Sequence, residues 1–243
     1  MSEVIWHDVE CGGYRADLPL WGELADGLGE EDAIMELGCG TGRVTLHLAE
    51  RGAYLVIGLD CDKELVEAVW ERGQGTTGDA EYIDVREFSF PSTPFGLILA
   101  PMQLIQLLGG REDRISCLSC VAENLAPAGR AAFAIVEEPP APAPRGSAPP
   151  LPDVRQIEGW VYSSLPLEPE VGAESMVLRR LRQTVTPDGE LSEEPNEVEL
   201  QLLTAEELEQ EAWEVGLQPI GRRQIPATES HVGSTVVLLA GVR

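Results

Sequence analysis

The strongest chemical signal in this chain is a run of glycines behind an acid, Ile34-Met-Glu36-Leu-Gly38-Cys39-Gly40-Thr-Gly42-Arg43. An apolar run ends in the glycines, and a helical pattern follows. Glycine lets a backbone turn sharply and come close to a ligand. The helix start beyond it offers unpaired N–H groups and the positive end of a dipole. Such a loop suits a nucleotide or an amino-acid carboxylate. No Gly-Lys-Ser/Thr follows, which excludes a Walker phosphate loop. The nicotinamide pattern G-x-G-x-x-G also fails, because the third glycine comes one residue early and Arg43 takes the expected place.

Three more segments end where a ligand would lie. Asp60 closes the apolar run Val56-Ile-Gly-Leu-Asp60, with Cys61 behind it. An acid at such a strand end suits the two hydroxyls of a ribose. Two aspartates compete for a third position, Asp79 in Gly78-Asp-Ala and Asp84 in Tyr82-Ile-Asp-Val85-Arg-Glu-Phe88. A fourth run ends in Leu99-Ala100-Pro101-Met102-Gln103-Leu-Ile-Gln106. In open α/β sheets ligands lie beyond the carboxyl ends of the strands, so Ala100, Pro101 and Met102 are expected to line a pocket. Gln103 and Gln106 are either polar contacts there or simply solvated.

The spacing E-x-G-x-G-x-G from Glu36 to Gly42 resembles the first motif of the class I S-adenosylmethionine-dependent methyltransferases. The resemblance covers most of residues 14–138 and returns weakly over 204–242. It implies S-adenosylmethionine as cofactor. Gly38, Cys39, Gly40 and Gly42 would pass close to its methionine part, and Glu36 would orient that end through the ammonium group. Asp60 would hold the ribose, with Cys61 near the adenosine. Asp84-Val85 matches the adenine position better than Asp79, because Arg-Glu-Phe follows it as the family's pattern expects. Ala100, Pro101 and Met102 would lie near the sulfonium. Tyr14 and Asp17, in Gly13-Tyr-Arg-Ala-Asp17, resemble the lead-in that closes over the cofactor. The Asn/Asp-Pro-Pro-Tyr signature of many nitrogen methylators of nucleic acid or protein is missing, and the fourth segment resembles a small-molecule subset.

Methyl transfer is an in-line displacement, which asks the protein chiefly to align donor and nucleophile and to exclude water. Some acceptors also need a base. Of the three histidines, His7, His47 and His231, only His231 is a candidate catalytic residue. It lies in the polar loop Thr228-Glu-Ser-His-Val-Gly-Ser234, and the role requires that loop to fold back over the pocket. Trp160 and Tyr162 read either as an aromatic wall for the acceptor or as ordinary core.

The elements that must position these residues follow a regular alternation. Strands are expected at 33–37, 54–59, 81–83, 95–100 and 130–136, with helices at 44–51, 62–72 and 111–125. Tyr14, Trp21 and Leu24 are placed in a helix of the lead-in. Continuous apolar strands between amphipathic helices imply a parallel sheet covered on both faces. The pattern breaks at Pro139–Pro152, whose seven prolines predict a semi-rigid linker. Segments 159–163, 176–185 and 197–203 then read as antiparallel strands, with a turn at Pro187-Asp-Gly189. Thr204-Ala-Glu-Glu207 is a capping box that restarts the helical pattern, and strands at 219–225 and 235–240 finish it. The expected fold is α/β: a Rossmann-like, doubly wound, seven-stranded, mostly parallel sheet with an inserted antiparallel β lid. Residues 1–138 and 204–243 form the cofactor domain, and 139–203 form the linker and insert.

Composition narrows the partners. Hydrophobic residues make up 43% of 243, enough for a core, and the formal net charge is −25. That charge repels phosphate backbones and anionic membrane surfaces, so nucleic acid and membrane are excluded as partners. No apolar run approaches the roughly 20 residues of a bilayer helix. The acidic N-terminus has no basic n-region, and a cytoplasmic location is the default. Cys117-Leu-Ser-Cys120 has no second pair, so packing is expected there and no metal. The reading is methyl transfer to an unidentified small molecule, with a homodimer left open. The alternatives are a non-catalytic S-adenosylmethionine- or nucleotide-binding or regulatory protein, and a protein methyltransferase.

Overall fold

The computed structural model describes residues 3–29, 32–52, 54–139, 150–228 and 231–242. In chain order its elements are α1 (Glu3–Glu10), α2 (Leu18–Ala25), β1 (Ala33–Leu37), α3 (Arg43–Arg51), β2 (Leu55–Asp60), α4 (Lys63–Arg72) and β3 (Gly78–Tyr82). There follow β4 (Phe95–Ala100), α5 (Leu104–Leu107), α6 (Arg111–Asn124) and β5 (Leu125–Ile135). The insert holds β6 (Asp153–Ile157), β7 (Trp160–Pro166), β8 (Glu170–Val171), β9 (Ser175–Val185) and β10 (Leu191–Gln201). The chain closes with α7 (Ala205–Glu214), β11 (Leu217–Ile225) and β12 (Ser234–Gly241).

Side chains on successive strand residues point to opposite faces, and the central strands show it. Met35, Leu37, Ile98, Phe133 and Ile135 join one core layer with α6 and α7. Ile34, Leu97, Leu99, Ala132 and Ala134 join the other with α2 and α3. Both faces are covered, which is why β4 is apolar throughout and β1 is apolar except for Glu36. Among the described residues, seven strands form one sheet in the order β11-β12-β5-β4-β1-β2-β3. The pairs β3–β2, β2–β1, β1–β4 and β4–β5 are parallel, while β12 is antiparallel to both its neighbours. Strand order reverses between β1 and β4, so a crevice opens at their carboxyl ends, where such sheets bind ligands. A second, antiparallel sheet runs β10-β9-β7-β6, with β8 on β9.

Several boundaries differ from expectation. The third strand runs Gly78–Tyr82 rather than 81–83, an edge strand in which only Ala80 is buried. The fifth begins at Leu125 rather than at 130, so Pro127-Ala-Gly129 already belongs to the strand. Tyr14 lies outside α2, and α1, α5, β6 and β8 were not anticipated. These are short elements, which give periodicity too few residues to register. Of the proline-rich linker, residues 140–149 lie outside the described residues. Cys117 is buried in α6 and Cys120 is half-buried, both as free thiols.

Candidate functional site

The glycine loop leaves β1 in a conformation that only glycine adopts easily. Gly38, Gly40 and Gly42 have φ of +66°, +54° and +86°, in the left-handed region that disfavours a Cβ. Space is short as well: a Cβ would stand 2.5 Å from Leu104 Cδ1 at Gly38 and 2.1 Å from His7 Nε2 at Gly40. Gly42 caps α3. Glu36, 3% exposed, accepts the Thr45 N–H at 2.6 Å and a short hydrogen bond from the Thr45 hydroxyl. The Glu36 side chain therefore fastens the first turn of α3 to β1 from inside. Burial pushes its carboxyl up to about 8, against the Thr45 hydrogen bonds and the Arg43 charge. The sequence assigned Glu36 to the cofactor ammonium, but the structure gives it this internal partner. Cys39 likewise has internal partners for its side chain. Its side chain is buried with Val66, Val69 and Ala80 and fills the space where a Cβ on Gly58 would be, 2.6 Å away.

Asp60 meets the loop directly. Its Oδ2 accepts the Gly40 N–H at 2.8 Å, and its Oδ1 accepts the Asp62 N–H at 2.9 Å. Each oxygen keeps a second lone pair for a ligand hydroxyl. Cys61 beside it is exposed. Partial desolvation of its thiol and the charges of Asp60 and Asp84 push its pKa up. Asp84 accepts from Arg86 through both the backbone N–H and the guanidinium. That partner holds its carboxyl below the usual range. Arg86 also reaches Asp113 on α6, so Asp84 stands in a rim ion pair. Val85 is buried beneath it. Asp79 caps its own neighbour, Ala80 N–H.

At the end of β4 the chain enters strain. Met102 and Gln103 have φ of 49° and 63° without being glycine, a placement that costs about 1 kcal/mol or more and gathers at functional sites. Gln103 donates to Ser234 Oγ at 3.0 Å, tying this turn to the start of β12. Met102 packs on the core layer that contains Tyr14. Ala100 is fully buried, and its side chain belongs to the α6 core layer. Pro101 is buried too. Gln106 is not solvated. It accepts the Val136 N–H at 2.7 Å and donates to the carbonyls of Val136 and Gln201, joining α5 to the ends of β5 and β10.

The lead-in and the loop before β12 do meet. Tyr14 stacks on His231 with ring centroids 4.5 Å apart and planes 27° off parallel. The Arg43 guanidinium lies over the Tyr14 ring, 5.1 Å from its centroid, and bonds both oxygens of Asp17 at 2.7 Å. Asp17 also takes the Trp21 indole N–H. Burial pushes the Tyr14 phenol up and the His231 imidazole down. His47 is half-buried on α3. Tyr162 is core against Trp6, while Trp160 stays partly exposed beside it.

Sequence reasoning missed α1, which stands between the glycine loop and the inserted sheet. Asp8 accepts from Thr41 Oγ1 at 2.8 Å and pairs with Arg72 of α4 and Arg155 of β6. Glu10 holds Arg182 and Ser164 of the insert. His7 Nδ1 lies 3.1 Å from Thr41 Oγ1. The only signal available was the acid–apolar alternation of Trp6-His-Asp-Val9-Glu10, too short to separate from a solvated lead-in.

The residues present fit S-adenosylmethionine. A loop of three left-handed glycines opens on α3, a strand-end acid retains free lone pairs, and an exposed rim carries Asp84. A family model described as "Methyltransferase domain" matches residues 34–129. The cypemycin N-terminal methyltransferase of a Streptomyces species is 30% identical over 98 residues, which make up 40% of this chain and 39% of that protein. The match thus reaches less than half the length of that relative. The sugar N-methyltransferase from a Streptoalloteichus species superposes with a TM-score of 0.72 at 14% identity, covering 98% of this chain and 92% of that one. The amino pentose methyltransferase of calicheamicin biosynthesis from Micromonospora echinaspora, solved with S-adenosylmethionine bound, gives 0.70 at 18% identity, covering 98% and 97%.

Proposed function

This chain carries the class I S-adenosylmethionine-dependent methyltransferase fold, and from that premise we propose that it methylates an amine nitrogen of a small molecule. One observation carries the reading: the three left-handed glycines lead from β1 into α3 while Gly40 donates to Asp60. Gly38, Gly40, Asp60 and the Asp84-Val85 rim would hold the cofactor, which supplies a methyl group on a positively charged sulfur.

The relatives support nitrogen as the acceptor atom, since they act on an N-terminus, a sugar nitrogen and an amino pentose. A net charge of −25 also favours a cationic acceptor, because it raises the local concentration of amines. A neutral amine is itself the nucleophile, so the protein's part is alignment and exclusion of water. We assign His231 to receive the proton the amine loses. Burial lowers its pKa and keeps it neutral, and stacking on Tyr14 fixes its ring.

Calorimetric titration of S-adenosylmethionine into the protein, with Asp60→Ala alongside, tests the cofactor. Binding that the variant loses supports the reading, and no binding to the wild type ends it. Transfer of a labelled methyl group to a panel of amino sugars and peptide N-termini then tests the acceptor. Methylation of peptides alone would move the function to peptide modification.

A further inference from the structure

Helix α1 sets a relay of three side chains over the glycine loop. Burial raises the Asp8 carboxyl, but the Arg72 and Thr41 hydrogen bonds and the Arg72 and Arg155 charges outweigh it and leave the pKa lowered. Asp8 is therefore a carboxylate, which only accepts. Its 2.8 Å contact with Thr41 commits the single hydroxyl proton of Thr41 to Asp8. Thr41 Oγ1 must then accept from His7 Nδ1, 3.1 Å away, so Nδ1 carries the ring proton. Burial pushes the His7 imidazole down. Arg43 acts with it, and Asp60, Asp8 and Glu10 act against it, without reversing the direction. The ring is neutral, and Nε2 keeps a lone pair. Nε2 is the atom packed on Gly40, where a Cβ would stand 2.1 Å from it. The Gly40 N–H is in turn on Asp60. A histidine acceptor and a carboxylate acceptor thus flank one loop residue.

We propose that His7 is a ribose-binding residue of the cofactor site, its Nε2 accepting one ribose hydroxyl while Asp60 accepts the other. The Asp8–Thr41 pair acts as the positioning element that fixes the required tautomer. Two hydroxyl donors then face two acceptors, which satisfies both. The inference rests on the cofactor reading above.

The test pairs a tautomer measurement with binding. Long-range proton–nitrogen correlation of the His7 ring should show protonation at Nδ1 alone at neutral pH, and Thr41→Val should abolish that preference. Protonation at Nε2 overturns the proposal. In calorimetry, His7→Ala and His7→Asn should weaken S-adenosylhomocysteine roughly five- to tenfold, the range of one hydrogen bond. His7→Gln, whose amide reaches the Nε2 position, should recover most of this. The same loss is expected with 5′-methylthioadenosine, which keeps the ribose and lacks the amino acid. A loss confined to S-adenosylhomocysteine would place His7 on the ammonium end and overturn the ribose assignment. Equal binding by all the variants, with Asp60→Ala still deficient, overturns the role of His7 and leaves the cofactor reading intact. No binding to the wild type removes both. Thermal unfolding of each variant separates misfolding from lost contact.

Discussion

The backbone N–H of Gly40 donates to Oδ2 of Asp60 at 2.8 Å, so the acid that ends β2 holds the loop that leaves β1. Asp62 N–H occupies the other oxygen. One carboxylate therefore organises the loop and remains available to a ligand. Asp60→Ala strands two backbone donors, and we expect a stability loss of about 1–3 kcal/mol, with cofactor affinity falling about tenfold or more. Asp60→Asn keeps one acceptor and should fall between. Scanning calorimetry and titration read the two effects separately.

Glu36 should give the protein a pH-dependent stability of unusual sign for a carboxylate. Its folded pKa is raised to about 8 from the usual 4.5, so above 4.5 the unfolded chain binds fewer protons than the native one. The contribution is complete below 4.5 and is lost as pH rises through about 8. Glu36→Gln keeps an oxygen for Thr45 and cannot ionise. Urea midpoints across this window should decline more steeply in the wild type than in Glu36→Gln. Parallel curves would refute the account.

Gln106 is fully buried and makes three hydrogen bonds to the backbone of Val136 and Gln201. Gln106→Ala leaves the Val136 N–H and the Gln201 carbonyl without this partner, at a cost of about 2–4 kcal/mol. Because Gln201 ends β10, the insert should also loosen. Limited proteolysis should cut the variant first within residues 150–203.

Arg114 of α6 and Glu211 of α7 form a bidentate pair at 2.7 and 2.8 Å, each under one-tenth exposed. Glu211→Ala leaves a buried guanidinium and should cost about 3–5 kcal/mol. The double change Arg114→Met with Glu211→Leu should restore most of it, since apolar replacement of a buried pair is often neutral. Chemical denaturation of the three variants measures the coupling.

The order of the large elements was legible because each announces itself locally. Strand β4 is one unbroken apolar run, and Thr204-Ala-Glu-Glu207 forms the capping box it spells, with both reciprocal bonds present. Asp60 and the glycines were legible for a similar reason, since their function requires particular residue types at fixed spacing along the chain.

What stayed hidden depends on which face a side chain turns to and what arrives there from elsewhere in the sequence. Strand alternation sends Ala100 into the core although it ends a pocket-forming strand. Cys39 turns toward Gly58. Gln106 reads as a polar residue near a site until strands from both sheets bring it their backbone groups. His7 and Asp8 sit 33 or more residues from Thr41 in sequence, and nothing local marks them as neighbours. The sequence by itself determined the sheet, its glycine loop and the acid at β2, because backbone conformation and burial constrain residue type directly. Only the tertiary structure decided that α1 closes on that loop and that His231 meets Tyr14, because long-range contacts between polar side chains leave no periodic trace.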